Sequence, residues 1–303
     1  MPLSIEEAIA RVPQWTETSN IESSFLEGGI TNQNYRVEVI GESFVVRIGG
    51  ANTEFLGINR ANEYAAHQAT AGLGIAPEVV YFIEPEGYLV TRFIEGRSLP
   101  PEEMGRPENI RRVAEALRQI HALPAIPAIF SPFRFVEDSA EIAQRYSVAF
   151  PESFAGLLAH MREVETAFLE DPFRPRLCHN DLLNGNFLDD GRLRILDWEY
   201  AGMGDPFFDL ANFAVHHGFS DDQERFLLEC YFGEATPPRF ARLKLMKVMS
   251  DFREAMWGMV QIGISELDFD FRGYADHHLN RMSQNIQDPR WGQWLQDVTR
   301  RTS

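Results

Sequence analysis

Residues 177–202, LCHNDLLNGNFLDDGRLRILDWEYAG, concentrate polar side chains between two short hydrophobic runs. His179, Asp181 and Asn186 follow the first run, and Asp197 comes directly after the second. Carboxylate and amide oxygens are the ligands that a hard cation such as Mg²⁺ prefers, and a further carboxylate can orient and deprotonate an attacking hydroxyl. These residue types therefore suit the transfer of a phosphoryl group.

The order and spacing of these residues strengthen this interpretation. His179, Asp181 and Asn186 form the pattern H-x-D-x-x-x-x-N, which is typical of a kinase catalytic loop. Asp197 lies eleven positions after Asn186, where a metal-binding aspartate is expected to follow a strand. Turn formers alone would explain LLNGN and LDDGR, but not these intervals. The sequence therefore predicts a phosphoryl-transfer site on two short strands, RLC and LRIL.

The predicted secondary structure that positions this site changes from strands to helices along the chain. Residues 21–50 alternate like paired strands, a helix is predicted at about 58–71, and EVVYFI and YLVTRFI indicate a hairpin. From residue 107 onward the apolar spacing becomes helical. Turn formers and charges cluster at residues 94–103, which predicts a boundary there.

Length, charge and cysteine content limit the class of protein. The 303 residues can form two lobes with a substantial core, and the net charge of −17 argues against a nucleic-acid partner while remaining compatible with a cationic substrate. No run approaches a membrane span, and MPLSIEEAIARV predicts a helix with a Ser4–Glu7 capping box rather than a signal peptide. Cys178 and Cys230 offer no disulfide framework, which favours a cytoplasmic location.

The first part of the chain has no lysine with which to contact phosphate. The only lysines are Lys244 and Lys247, so phosphate contacts in the first 240 residues must come from arginine, backbone N–H groups or polar side chains. In FVVRIGG, Arg47 interrupts a hydrophobic strand, and a buried charge needs a partner. Glu63 is the expected partner and Glu54, which precedes the helix, is a weaker candidate; an edge-strand position for Arg47 is the alternative.

With these residues identified, the chain resembles the choline/ethanolamine kinase family, within the wider aminoglycoside-phosphotransferase-like group. GGITNQNYRV is similar to the family's phosphate-covering turn, LCHNDLLNGN to its catalytic loop and DWEYAGMGDPFFDLANF to its metal-binding segment. DWEY together with WGMVQ points to the choline-type branch. The resemblance implies an α+β, bilobal protein-kinase-like fold, in which a small antiparallel-sheet lobe at 1–94 binds ATP and a larger, mainly helical lobe at 95–303 carries catalysis and substrate binding.

The resemblance also implies roles for individual residues. Asp181 is the expected catalytic base, His179 braces its loop, and Asn186 and Asp197 hold Mg²⁺. The expected ATP contacts lie in the phosphate-covering turn, on the strand arginine with its glutamate, and near the adenine. They are Gly29, Thr31, Asn32, Asn34, Arg47, Glu63, Arg92 and Ile94.

An acceptor of the choline type requires a binding site for its positively charged ammonium group. A quaternary ammonium donates no N–H hydrogen bond, so aromatic faces and a carboxylate are expected to hold it. Met203 and Glu254 stand where animal-type choline kinases often carry further aromatics, which indicates a cage that is more open or more acidic and puts a strict choline preference in doubt. A position in the hydrophobic core, without contact to the acceptor, is the alternative for Trp257. The expected acceptor contacts are Glu199, Tyr200, Trp257 and Tyr274.

We therefore predict an ATP- and Mg²⁺-dependent kinase that phosphorylates the hydroxyl of a small cationic alcohol, choline first and ethanolamine next. Thiamine, an aminoglycoside or another small metabolite is the alternative acceptor for the same fold. A nucleotide-binding scaffold without catalysis is disfavoured because the base and both metal ligands are present. The family resemblance also suggests a homodimer.

Overall fold

The computed structural model describes residues 2–27 and 31–299. The chain divides into two units, which are residues 1–99 with 185–201 and residues 100–184 with 202–303. The first unit holds most of the strands and the second holds most of the helices. This segregation of strands from helices confirms the predicted α+β class.

The strands of the described residues form three antiparallel sheets. They are β1 (Glu22–Leu26), β2 (Asn32–Val39), β3 (Glu42–Gly49), β4 (Val79–Ile83), β5 (Tyr88–Arg92), β6 (Arg97–Ser98), β7 (Arg176–Cys178), β8 (Phe187–Asp189), β9 (Leu193–Ile195) and β10 (Gly202–Gly204). The strand orders are β1-β2-β3-β5-β4, β6-β8-β9 and β10-β7. The first two sheets belong to the first unit and the third belongs to the second.

Most helices of the described residues begin at a side-chain cap or a proline, whereas α6 and α11 have neither. They are α1 (Ile5–Ala10), α2 (Arg60–Ala71), α3 (Pro101–Met104), α4 (Pro107–His121), α5 (Pro132–Arg145), α6 (Phe154–Glu170), α7 (Pro206–His216), α8 (Asp221–Phe232), α9 (Pro237–Ile264), α10 (Phe271–Ile286) and α11 (Trp291–Asp297). The predicted capping box is confirmed at α1, where the Glu7 amide donates to Ser4 Oγ at 3.2 Å and the Ser4 amide donates to Glu7 Oε2 at 2.8 Å.

The alternation of β3 places Arg47 on one face of the five-stranded sheet. Val46 and Ile48 are buried in a core cluster with Trp15. Because neighbouring side chains on a strand point to opposite faces, Arg47 leaves β3 on the side away from this cluster. There it meets α2, whose first residue follows the side-chain cap Asn59.

The small β6-β8-β9 sheet carries the end of the polar stretch. The strand predicted from LRIL is confirmed as β9, and its Ile195 amide donates to the Ile75 carbonyl at 3.1 Å. The segments before β8 and after β9 are joined where the Leu196 amide donates to the Asn186 carbonyl at 2.8 Å. Asn186 and Asp197, the two predicted metal ligands, are therefore held next to the same short hairpin.

The second unit is organised around α9. This helix packs against α5, α7 and α10, and every side chain from Val248 to Gln261 is buried. A helix that is buried all round is typical of the centre of a helical domain. Among the helices in the described part of the chain, none combines the length and the apolar character needed to cross a bilayer.

Candidate active site

Asn186 lies directly before β8 and Asp197 lies shortly after β9, both in the first unit. Asp197 follows β9 with a φ of 63°, a left-handed conformation that is costly for a residue other than glycine. Asn186 ends a 3₁₀ turn that begins at Asn184. Such strain persists only where the surrounding structure enforces it, and it concentrates at functional positions.

Arg47 forms hydrogen bonds both with Glu63 on α2 and with Asp197. Its Nη1 donates to Glu63 Oε1 at 2.5 Å and to Asp197 Oδ1 at 3.0 Å. The predicted pairing with Glu63 is thereby confirmed, and the rival pairing with Glu54 is not observed within the described residues. Burial lowers the pKa of Arg47, but the negative charges of Asp197, Glu63 and Glu199 outweigh it and raise that pKa overall. Arg47 is therefore a permanent positive charge.

Arg60 forms a second cationic centre that the sequence did not single out. Its Nη1 donates to Glu63 Oε2 at 2.8 Å and also pairs closely with Glu199 Oε1. Asn32 completes the cluster, because its Nδ2 donates to Glu199 Oε1 at 2.7 Å and its Oδ1 accepts from Arg60 Nη2 at 3.1 Å. The available signal was the spacing of Arg60 and Glu63, which favours an i,i+3 ion pair.

Glu199, predicted to contact the acceptor, is the carboxylate at the centre of this cluster. Its side chain is only 3% exposed. Burial, together with the neighbouring charge of Asp197, raises the pKa of Glu199 to about 7 despite the two arginines. Thr31 also reaches it, since its Oγ1 donates to Glu199 Oε2 at 3.5 Å. Tyr200, the next predicted acceptor contact, is buried in the same unit.

A cavity of about 540 Å³ lies within the first unit. Its walls combine apolar side chains, such as Val45, Leu89 and Leu196, with a few polar groups, which is the usual composition of a small-molecule site. The predicted ATP and metal residues on this wall are Asn34, Arg47, Arg92, Ile94, Asn186 and Asp197.

The remaining predicted ATP contacts lie elsewhere. Thr31, Asn32 and Glu63 belong to the ion-pair cluster around Arg47 and Arg60, and Gly29 lies outside the described residues. The guanidinium of Arg92 pairs with Glu42 Oε1 at 2.6 Å, so this side chain is engaged on its own strand neighbour.

In the second unit, α7 holds the backbone of the predicted catalytic loop. Asp209 Oδ2 accepts from the His179 amide at 2.9 Å and Oδ1 accepts from the Asn180 amide at 2.7 Å. His121 Nε2 also donates to Asp209 Oδ2 at 2.9 Å. Asn180 has a φ of 66°, so these bonds fix a strained residue directly before Asp181. Asp209 was missed, although a charged residue in the apolar segment PFFDLANF could have indicated it.

Two further contacts shape the loop around Asp181. The Leu182 amide donates to Asn212 Oδ1 at 2.5 Å. The Asp181 amide donates to His179 Nδ1 at 3.2 Å. His179 is fully buried, which agrees with the bracing function expected for it. The carboxylate of Asp181 thus stands on a backbone that is held from both sides.

Arg253 contacts that carboxylate directly. Its Nη1 donates to Asp181 Oδ1 at 3.2 Å and to Glu254 Oε1 at 2.7 Å. Burial raises the pKa of Glu254, but Arg253, His216 and His278 together outweigh it and hold that pKa well below its ordinary value. Glu254 is therefore ionised, and it shares the charge of Arg253 with Asp181.

Trp257 and Tyr274, the two predicted cage aromatics, lie together. Their ring centroids are 5.5 Å apart at an interplanar angle of 69°. Phe271 extends the group, with its ring 5.8 Å from that of Trp257. The Tyr274 hydroxyl donates to Glu254 Oε2 at 2.8 Å, and burial raises the pKa of Tyr274 well above its ordinary value. The aromatic group therefore adjoins the Arg253–Glu254 pair in the same unit.

Comparison with known proteins places this arrangement in a family. Residues 22–243 match the family described as phosphotransferase enzyme family. Ethanolamine kinase 2 from Mus musculus is 28% identical over an alignment of 309 positions, which covers 89% of this chain and 77% of that protein. A choline/ethanolamine kinase family protein from Mesorhizobium loti has a crystal structure that is 32% identical, with a TM-score of 0.83 over 97% of this chain and 98% of its own.

A second solved structure extends the likeness in fold. The choline kinase LicA from Streptococcus pneumoniae is 23% identical and aligns with a TM-score of 0.77 over 93% of this chain and 97% of its own. These likenesses confirm the predicted protein-kinase-like fold. The chain belongs to the phosphotransferase enzyme family, within which it is similar to choline and ethanolamine kinases.

Proposed function

We propose that this protein transfers the γ-phosphate of ATP to the hydroxyl group of choline or ethanolamine. Family membership supports the transfer of phosphate, and the similarity to an ethanolamine kinase and to a choline kinase supports the acceptor. The observation that carries the proposal is the cavity of about 540 Å³ on whose wall Arg47, Asn186 and Asp197 lie together.

The cavity wall suits a nucleotide with its metal. Asn186 and Asp197 would hold Mg²⁺, because both offer oxygen ligands and both reach the same cavity. A bound Mg²⁺ would neutralise charge on the phosphates. Arg47 contributes a fixed positive charge beside the same groups, which is the function that a chain without nearby lysines must give to arginine.

Asp181 supplies the base in this proposal. Its carboxylate orients the alcohol hydroxyl and accepts its proton as the hydroxyl oxygen bonds to the γ-phosphorus. The bond between that phosphorus and the bridging oxygen breaks, and ADP leaves. His179, Asp209 and Asn212 hold the loop, so that the carboxylate meets the hydroxyl in a fixed orientation.

Trp257 and Tyr274 bind the cationic end of the alcohol in this proposal. Aromatic faces attract both a quaternary and a primary ammonium, with about 0.5 to 2 kcal/mol for each good contact. Both carboxylate oxygens of Glu254 already accept hydrogen bonds within the protein, from Arg253 and from the Tyr274 hydroxyl, so this carboxylate alone does not favour ethanolamine over choline. The contribution of Glu199 and Tyr200 to acceptor binding stays a prediction.

The assignment of ATP binding to residues 1–94 and of catalysis to residues 95–303 also stays a prediction. A cytoplasmic location is supported by the two cysteines, Cys178 and Cys230, which are both free. A homodimer is tested by light scattering coupled to size-exclusion chromatography.

A coupled assay of ADP release tests the proposed function. Choline, ethanolamine, thiamine and an aminoglycoside are compared at saturating ATP and Mg²⁺. We expect release that depends on choline or ethanolamine and that is abolished in Asp181→Asn while ATP binding is kept. Release with thiamine or the aminoglycoside alone, or undiminished turnover in Asp181→Asn, would refute the proposal.

A further inference from the structure

Arg253 is an arginine placed at the centre of the second unit. Its residue is only 1% exposed, and its neighbours on α9, Phe252 and Ala255, are fully buried. A buried charge is costly unless it is paired and hydrogen-bonded. The position therefore requires a reason beyond the packing of α9, for which an apolar side chain would serve.

The pairing of Arg253 supplies that reason. One nitrogen, Nη1, donates both to Asp181 Oδ1 at 3.2 Å and to Glu254 Oε1 at 2.7 Å. The ring of Phe135 lies 5.2 Å from the guanidinium carbon. A planar guanidinium held on two carboxylates and against an aromatic ring has little freedom to rotate.

The contact with Asp181 fixes more than one oxygen. A carboxylate is planar, so anchoring Oδ1 defines the plane of the group and the direction of Oδ2. The backbone contacts of His179 and Asn180 hold the main chain of this loop, whereas Arg253 acts on the reacting carboxylate itself.

Glu254 links this arginine to the aromatic group. Its Oε1 accepts from Arg253, and its Oε2 accepts from the Tyr274 hydroxyl at 2.8 Å. His216 Nε2 lies 3.4 Å from Oε1. A continuous hydrogen-bonded series thus runs from Tyr274 through Glu254 and Arg253 to Asp181.

We propose that Arg253 is a positioning residue that sets the orientation of the Asp181 carboxylate, and that Glu254 holds Arg253 and couples it to Tyr274. This inference rests on the proposed function, because it assigns Asp181 as the base. An alcohol bound against Tyr274 would thereby meet a carboxylate already oriented for its hydroxyl. Arg253 acts through Asp181 and does not itself bind the alcohol.

Steady-state kinetics of Arg253→Met against a matched control test the proposal. Lys244→Met is the control, because it also removes an α9 cation from a buried carboxylate. That carboxylate is Glu224 on α8, which accepts from Lys244 Nζ at 2.8 Å and keeps Lys247 as a partner. Lys244 and Arg253 are nine positions apart on this helix, which is about 14 Å along its axis. Thermal unfolding of both variants measures the purely structural loss.

We expect kcat for the alcohol to fall about 100-fold in Arg253→Met, because a displacement of about 1 Å at a reacting group costs a factor of that order. KM for ATP should stay within about twofold, and Lys244→Met should keep kcat within about twofold of the unchanged protein. A kcat in Arg253→Met that falls no further than in Lys244→Met would overturn the proposal.

Three further variants keep the test decisive if Arg253→Met fails to fold. Arg253→Lys keeps the charge but loses the planar fork, and Glu254→Gln keeps the shape but loses the charge; each should lower kcat about 10-fold with KM for ATP unchanged. Added guanidinium should restore part of kcat in Arg253→Ala with saturable kinetics. Unchanged kcat in both conservative variants would overturn the proposal. An active Asp181→Asn would instead overturn the proposed function, so the two failures are distinguishable.

Discussion

Replacing Asp209 by asparagine tests how α7 holds the catalytic loop. The two carboxylate oxygens accept from the amides of His179 and Asn180 and from His121 Nε2. Asparagine keeps the shape but turns one oxygen into a donor that meets another N–H group. At least one charge-assisted hydrogen bond, worth about 1.5 to 3 kcal/mol, is lost, and one buried N–H is left unsatisfied at a cost of about 1 to 3 kcal/mol.

The expected result is a loss of about 2.5 to 6 kcal/mol in the free energy of unfolding, from the sum of these two effects. Asn180 is held at a φ of 66° by one of the lost bonds, so the loop relaxes and Asp181 moves. We therefore expect kcat to fall about 100-fold, in line with a shift of about 1 Å at the base.

Denaturant unfolding and steady-state kinetics measure the two effects, with Asp222→Asn as the matched control. Asp222 is exposed on α8, where the same substitution should change stability by no more than about 0.5 kcal/mol. If Asp209→Asn were as stable and as active as Asp222→Asn, the argument that these hydrogen bonds maintain the loop would be wrong.

Three other predictions concern separate parts of the molecule. Arg47→Met should raise KM for ATP about 10-fold or more, because it removes the fixed charge on the cavity wall; an unchanged KM for ATP would contradict this function. Burial lowers the pKa of His217 from 6.5 to about 4, so the unfolded chain binds more protons than the folded protein below pH 6.5. The free energy of unfolding should therefore fall by up to about 3 kcal/mol between pH 6.5 and 4. His217→Gln should lose that part of the pH dependence of unfolding, and a pH profile identical to that of the unchanged protein would refute this prediction. Gly258→Val should lower the free energy of unfolding by about 1 to 3 kcal/mol and raise KM for the alcohol, since even one added carbon lies 3.2 Å from Tyr274 Cδ1. Unchanged KM and stability would show that α10 shifts to accommodate the side chain without cost.

The first unit was the more predictable from sequence. Arg47 could be paired with Glu63 because a single charge in an apolar strand requires a partner, and Glu63 offers a carboxylate in the first turn of the next helix. The strand LRIL was also recognisable, because turn formers precede this short apolar run. Local rules suffice where a charge stands alone in an otherwise apolar strand.

The second unit shows where such rules end. Arg253 and Asp209 lie on helices buried on every side, so helical periodicity reveals the helix but not which polar residue faces which. Glu199 was grouped with the acceptor because it follows Asp197 closely, yet its partners are Arg60 and Asn32. These pairings depend on how elements distant in sequence pack together. The local spacing of residues does not reveal that packing.

The placement of the lysines has a practical consequence for chemical labelling. Lys244 and Lys247 both pair with the buried Glu224, and the first unit contains no lysine at all. Amine-directed nucleotide analogues, such as periodate-oxidised ATP, therefore have no side-chain amine to capture on the wall that carries Arg47. Reagents selective for guanidinium groups, such as phenylglyoxal, are the appropriate chemistry for tagging that cavity.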